Sequence, residues 1–425
     1  MKKYFKKLPQ ELKKVISLAQ AVAQESGVPA YLVGGFVRDM ILGVKNLDMD
    51  MVIEGEGIAF AQKLMPKLKA KILIHQRFGT ATLSFGKLKV DVASARKEAY
   101  AHPAELPQVA FSSLKDDLKR RDFTINSMAV GISGKGQCKL IDPYAGKDDL
   151  VSGKVRVLHD LSFQDDPTRI FRAVRFEQRY DFRIEPHTLK LLKESLGSGL
   201  IGLLSPQRKR HELVLMLKEV EPFRQLKRLK ELGLLGLICP ELRNLNIERS
   251  LFASLEKQIS WFNKQHSCRR KLDTWLLYLM ALADKLTRAQ IARLSGNLNL
   301  HKGEEKRILS IRAFSKNSLK SLSSSKIAPA RIFALLEPLS YEAIIFIKAK
   351  HPSFALNKHI EDFLEIYNGM RVSVSGEVLR KLGLLPGPAY QKIFSRALDA
   401  KLNGLVNNRQ EEVALIRELI SKKAV

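Results

Sequence analysis

Tyr31-Leu32-Val33-Gly34-Gly35-Phe36-Val37-Arg38-Asp39, followed shortly by Asp48-Met49-Asp50-Met51-Val52-Ile53, decides how this chain is read. Tyr31 to Val33 is a short apolar strand, the glycine pair turns it, and Val37 to Leu42 has helical spacing. Asp48 to Ile53 is the next strand. Working outward, Ile58 to Leu68 is spaced as a helix, and Thr80 to Phe85 and Lys89 to Ala93 form a hairpin around Gly86-Lys87. Residues 28–132 therefore make an α/β unit. Beyond about residue 155 the strand signals stop, and helical patterns follow at 165–180, 186–195, 206–219, 222–233 and onward. Ser315 to Lys326, rich in Ser and Lys, reads as a connector between helices. The expected organisation is an α/β head carrying a longer all-helical remainder. The boundary falls near 140–155, around Asp142-Pro143-Tyr144-Ala145-Gly146.

Composition sets limits on the partner. The 425 residues are too many for one ordinary core, and 45% hydrophobic with 27% charged residues is the balance of a folded chain. Seventy-two Lys plus Arg against 44 Asp plus Glu leave a net charge of +28, which points to a polyanion. Nucleic acid fits better than a membrane, because no run approaches the ~18–20 uninterrupted apolar residues of a spanning helix. The basic start, Met1-Lys2-Lys3-Tyr4-Phe5-Lys6-Lys7, has no apolar stretch of a secretion signal and leads into a helix with Leu12, Val15, Ile16, Ala19 and Val22 on one face. Cys138, Cys239 and Cys268 make neither a disulfide framework nor a zinc site, even with His266 near Cys268; this suits a reducing cytoplasm.

Asp48 and Asp50 alternate with Met49 and Met51, so both carboxylates leave the same strand face. Two carboxylates held together repel unless a cation lies between them, and magnesium prefers such oxygens and brings phosphate with it. Asp91, in Val90-Asp91-Val92, alternates the same way on a later strand. Three acids from two strands would hold two metal ions, one to activate an attacking 3′-hydroxyl and one to neutralise leaving pyrophosphate. Asp-x-Asp alone also describes a solvated strand face, and Asp91 also suits a role in supporting the sheet. The upstream Gly34-Gly35 turn with Arg38 favours the phosphate site, since glycines let backbone amides approach a triphosphate at a helix N-terminus.

A second stretch, Asp165-Asp166-Pro167-Thr168-Arg169-Ile170-Phe171-Arg172-Ala173-Val174-Arg175-Phe176, places Arg169, Arg172 and Arg175 in one helical stripe, with Asp166 one turn before Arg169. Asp accepts hydrogen bonds and Arg donates them, so the pair matches the edge shared by cytosine and adenine, an amino donor beside a ring-nitrogen acceptor. Guanine and uracil present the reverse. The same stripe also describes an Arg-rich face paired to acids, or one that binds phosphates, and Arg172 and Arg175 are left to phosphate or structural roles.

These segments, with Arg120-Arg121-Asp122-Phe123-Thr124-Ile125-Asn126 and Ser205-Pro206-Gln207-Arg208 plus Glu212, resemble in order the class II tRNA nucleotidyltransferases. That is the CCA-adding family, which includes bacterial poly(A) polymerases. The resemblance covers about the first half of the chain. It implies a nucleotidyltransferase head of mixed sheet and helices over 1–150, a helical neck over 151–220, a body over 221–315 and a tail over 316–425. It also implies Mg2+ on Asp48 and Asp50, with Asp91 as a third catalytic acid. Nucleotide binding falls to Gly34, Gly35, Arg38 and Arg121, base reading to Asp166 and Arg169, with Arg172 and Arg175 beside them. Arg120-Arg121-Asp122 would link head to neck, though Arg120 equally suits an ion-paired helix end. The implied partners are tRNA, CTP and ATP.

Two departures stand out. Asp165 replaces the usual Glu before Asp166, and Gln207 stands where Glu is common. The loop before Arg120, roughly Glu98 to Ser113, bears on whether such enzymes add CCA, CC or A, and its preference is not legible. Leu382-Gly383-Leu384-Leu385-Pro386-Gly387-Pro388, with Arg380, Lys381 and Lys392 nearby, resembles the tail of some bacterial members; it would touch the tRNA elbow or stand solvated. The rival functions are a poly(A) polymerase and a non-catalytic RNA-binding protein.

Overall fold

The computed structural model describes residues 1–45, 48–99, 102–105, 107–133, 137–266 and 271–421. Cys268 lies outside them, as do residues 100, 101 and 106 of the stretch before Arg120. The chain forms two compact units, Met1–Arg243 and Asn244–Val425.

The first unit is built on strands β1 (Ala30–Val33), β2 (Asp48–Ile53), β3 (Lys71–His75), β4 (Thr80–Phe85), β5 (Leu88–Ser94), β6 (Arg96–Ala99), β7 (Gln108–Phe111), β8 (Ala129–Gly131) and β9 (Leu140–Ile141). Seven of them make one mixed sheet in the order β3-β4-β5-β2-β1-β8-β9, with β2 and β5 parallel and the other neighbours antiparallel. Its helices are α1 (Lys2–Lys7), α2 (Gln10–Ser26), α3 (Gly34–Leu42), α4 (Gly57–Leu68), α5 (Leu114–Lys119), α6 (Gly146–Val151), α7 (Ser162–Asp165), α8 (Thr168–Tyr180), α9 (Pro186–Gly197), α10 (Pro206–Leu217), α11 (Pro222–Glu231) and α12 (Leu234–Ile238). The apolar stripe of α2 is buried as its spacing predicts, through Leu12, Val15, Ile16, Ala19 and Val22. Helix α4 buries Phe60, Ala61 and Leu64 and packs on β4 and β5. Each such Val, Leu, Ile or Phe side chain is worth about 1.5–3 kcal/mol relative to exposure.

The structure departs from the sequence reading at four places. The helix expected over 165–180 is broken at Asp166-Pro167, because a residue preceding proline is driven out of the helical region; Asp166 is extended, at φ −139° and ψ 97°. Strand pairing persists past residue 155, since Lys154–Val155 runs parallel to Arg183–Ile184. The stretch before Arg120 is largely a β6–β7 hairpin, paired from Arg96↔Phe111 to Ala99↔Gln108. The connector at Ser315 to Lys326 contains a helix, Lys316–Leu322, started by the Ser315 hydroxyl accepting from the Ser318 amide at 3.0 Å.

The second unit is helical. Near its end, Pro388–Leu402 and Arg409–Ser421 pack around Val374, Leu379, Ile393, Ala397 and Ile416. Pro388 opens its helix after the Pro386-Gly387 turn, as read from the sequence. No described helix is long and apolar enough to cross a membrane.

Candidate active site

The parallel pairing of β2 with β5 sets Asp48 against Lys89 and Asp50 against Asp91. Strand alternation sends Met49, Met51, Val90 and Val92 into the core and leaves the acids on the opposite face. Asp91 gives one oxygen to the Thr82 hydroxyl at 2.5 Å and the other to Lys89 Nζ at 2.6 Å. Asp50 has no hydrogen-bond partner among the described residues. Burial pushes its carboxyl up to about 6; Arg121 pulls it down, and the neighbouring Asp91 and Asp48 push it up again. Among the described residues no group of three or more His, Cys, Asp or Glu side chains is placed to hold a metal ion. Asp48, Asp50 and Asp91 nonetheless line one cavity, with both oxygens of Asp91 already engaged by Thr82 and Lys89.

The glycine turn is the first turn of α3 rather than a loop ahead of it. Gly34, at φ +64°, donates its amide to the Met128 carbonyl at 3.1 Å and is not on the cavity wall, whereas Gly35 is. Arg121 lies directly against Gly34, anchored through Nη2 on Asp117 at 2.8 Å. Burial opposes the Asp117 charge, but Arg121 and Arg120 together hold its carboxyl below the usual range. Arg38 is buried, its Nε on Asp39 at 2.9 Å and its Nη1 on Asn126 Oδ1 at 2.5 Å. Its guanidinium carbon lies 5.1 Å from the Phe176 ring centroid and 4.8 Å from that of Tyr180.

Asn126 extends this network. Its amide donates to Asp122 Oδ1 at 2.9 Å, and Asp122 Oδ2 accepts from Arg172 Nε at 2.7 Å and pairs with Nη2 at 2.6 Å. Burial raises the Asp122 carboxyl, but Arg172 and the Asn126 amide outweigh it and leave the group at about 2. Arg120 pairs with Asp117 and Glu98 at its side chain, and its carbonyl accepts from Arg169 Nη2 at 2.9 Å. It is therefore both an ion-paired helix end and, through its backbone, a tie to α8.

Along α8, Arg169 also donates to the Ser162 hydroxyl at 2.7 Å, and Arg175 meets Glu212 at 3.3 Å. Arg172 and Arg175 are thus ion-paired, as the structural reading of the stripe allowed. Asp166 stands just ahead of α8. Its Oδ1 accepts from the Thr168 amide at 2.9 Å, the Thr168 hydroxyl at 2.6 Å and Arg208 Nη2 at 2.6 Å. Its Oδ2 accepts nothing among the described residues.

A cavity of about 880 Å3 joins these parts: Gly35, Arg38, Asp48, Asp50, Asp91, Arg121, Asp166, Arg169, Arg172 and Arg175 all line it. Sequence reasoning gave no role to Asn126, Asp117 or the Phe176–Tyr180 pair. The Arg120 to Asn126 motif contained Asn126, but nothing in its spacing showed that it would bridge Arg38 and Asp122.

Two family models match the chain, the Poly A polymerase head domain over residues 30–156 and a probable RNA and SrmB-binding site of polymerase A over residues 181–245. An A-adding tRNA nucleotidyltransferase of Geobacter sulfurreducens is 37% identical over 93% of this chain; the chain spans 45% of that longer relative. Another, of Halalkalibacterium halodurans, is 32% identical over 92% of this chain and 89% of its own length. A solved structure of a CCA-adding enzyme in an apo form aligns with a TM-score of 0.77 and 31% identity, covering 98% of this chain and 97% of that one. The fold and the head-domain match thus place the chain among nucleotidyltransferases with a polymerase-type head. Within that class, the chain belongs to the class II tRNA nucleotidyltransferase family, that of the CCA-adding enzymes.

Proposed function

We propose that this chain adds the terminal adenosine to the 3′ end of tRNA from ATP, without a nucleic-acid template. The observation that carries this reading is the convergence of Asp48, Asp50, Gly35, Arg121, Asp166 and Arg169 on one cavity. The choice of A over CC or CCA rests on the A-adding relatives, aligned over 93 and 92% of the chain.

In the reaction, the 3′-oxygen of tRNA forms a bond to the α-phosphorus of ATP, the bond from that phosphorus to the bridging oxygen breaks, and pyrophosphate leaves. Asp48 and Asp50 would hold Mg2+. They fit it because they share one strand face and Asp50 accepts no hydrogen bond from the described residues; water and nucleotide phosphates would complete the ligand set. Bound there, magnesium supplies charge neutralisation for the triphosphate and eases loss of the 3′-hydroxyl proton. Asp91 adds negative charge beside the pair and steadies Lys89. Gly35 and Arg121 receive the phosphates, with Arg38 bracing the turn. Asp166 Oδ2 accepts from the adenine amino group and Arg169 donates to the ring nitrogen. Arg172 and Arg175 hold α8 in place.

The head over 1–150 would then act with a neck over 151–220, a body over 221–315 and a tail over 316–425 that contacts tRNA, in the cytoplasm. The net charge of +28 supports a polyanionic partner.

Incubation with tRNA ending before the first C, after C or after CC, with labelled ATP and CTP, tests this. One A on the CC-ended tRNA is expected. C incorporation indicates CC or CCA addition, a long A ladder a poly(A) polymerase, and tRNA binding without incorporation a non-catalytic RNA-binding protein.

A further inference from the structure

Arg208, on the first turn of α10, holds two groups with one guanidinium. Its Nη2 donates to Asp166 Oδ1 at 2.6 Å and its Nη1 to the backbone carbonyl of Ala104 at 2.7 Å. Ala104 lies in the short turn 102–105 within the β6–β7 hairpin, where Glu105 N donates to the His102 carbonyl at 3.3 Å and Ala104 itself has φ +65°. Asp166 and Arg208 are both only about a quarter exposed, at 23 and 25% of their side chains, so this charge-assisted pair is sheltered from solvent.

The consequence for Asp166 is geometric. Thr168 supplies two of the donors on Oδ1 and Arg208 the third, from the opposite element. With Oδ1 filled from both sides, the carboxylate plane is fixed and Oδ2 is the oxygen left for a ligand. Both Thr168 donors come from the segment next to Asp166 in sequence, whereas Arg208 reaches Oδ1 from α10. Among the described residues Arg208 is the one donor to Asp166 from outside residues 166–168, and its other terminal nitrogen is held by the Ala104 carbonyl.

We propose that Arg208 is a positioning residue for base selection: seated on the Ala104 carbonyl, it fixes which oxygen of Asp166 faces the incoming base. This rests on the reading of Asp166 as the base-contacting group. Arg208 touches neither base nor phosphate in this account and acts through Asp166.

The test is nucleotide preference in the full-length protein, measured by direct binding of ATP, CTP, GTP and UTP and by incorporation into CC-ended tRNA. Arg208→Ala is expected to reduce the preference for ATP over GTP by roughly tenfold, the loss of one charge-assisted hydrogen bond. Arg208→Lys keeps the charge without the two-pronged fork and is expected to fall between the two. If Arg208→Ala fails to fold, Arg208→Lys carries the test alone. An unchanged ATP-to-GTP ratio, or equal weakening for all four nucleotides, overturns the proposal. Wild-type protein that does not distinguish ATP from GTP in binding overturns it too. Wild-type protein that binds selectively but incorporates nothing overturns the enzymatic reading and leaves the role of Arg208 to be judged by binding.

Discussion

A methyl group added at Gly34 would lie 2.5 Å from Nη1 of Arg121. Real carbon–nitrogen contacts do not approach so closely, and the φ of +64° is itself costly for any side chain. Arg121 cannot yield freely, because its Nη2 is tied to the buried Asp117. Gly34→Ala is therefore expected to lower stability by about 1–3 kcal/mol and to push Arg121 off its seat. Thermal unfolding and incorporation rate check this together: a lower Tm with a fall in kcat larger than the folded fraction explains. A variant with wild-type Tm and kcat contradicts it.

The pairing of Asp122 with Arg172 predicts a pH signature. The folded carboxyl sits at about 2, below its unfolded value of about 3.9. Such a group stabilises the fold fully above the unfolded value, and that stability is lost as pH falls through the folded one. The shift corresponds to about 2–3 kcal/mol. Urea unfolding of wild type and Asp122→Asn should differ by at least that near pH 7, and the gap should close as pH falls from about 4 toward 2. A gap independent of pH rules the assignment out.

Asp166→Ala removes the acceptor that faces the base and leaves Arg208 without its carboxylate. Nucleotide choice should relax by roughly 10- to 100-fold, the worth of a well-made paired contact to a base edge. Steady-state incorporation of each nucleotide in competition reads this out. A fall in rate with unchanged choice would show that the base is read elsewhere.

How much of this was legible follows from which interactions are local. The alternation of Asp48-Met49-Asp50-Met51 and of Val90-Asp91-Val92 is a property of consecutive residues, so the acidic face was readable, and β2–β5 pairing set Asp50 opposite Asp91. Whether Asp91 is free depends on Thr82 and Lys89 across and along the sheet, which alternation does not show. The α8 stripe was readable as a periodicity, yet the side chains it faces, Asp122 and Glu212, come from distant segments. Pro167 carried a local signal that Asp166 stands outside the helix; the arginine spacing masked it. Asn126 was quoted in its motif, but its bridge from Arg38 to Asp122 spans 88 residues on one side. Strands β6 and β7 were missed because each has only four residues and neither alternates: Arg96–Ala99 is largely charged and Gln108–Phe111 largely apolar.

The Asp48–Asp50 face is expected to carry out the nucleotidyl transfer. The most direct measurement compares Mg2+-dependent incorporation of labelled ATP into CC-ended tRNA by wild type and Asp50→Asn, alongside tRNA affinity. Asp50→Asn is near in size and removes a charge that its surroundings resist, so the fold should survive. Incorporation is expected to drop by about 1,000-fold or more, on the order of 4 kcal/mol of barrier, with tRNA affinity within about twofold of wild type. Incorporation by Asp50→Asn at the wild-type rate would contradict the account.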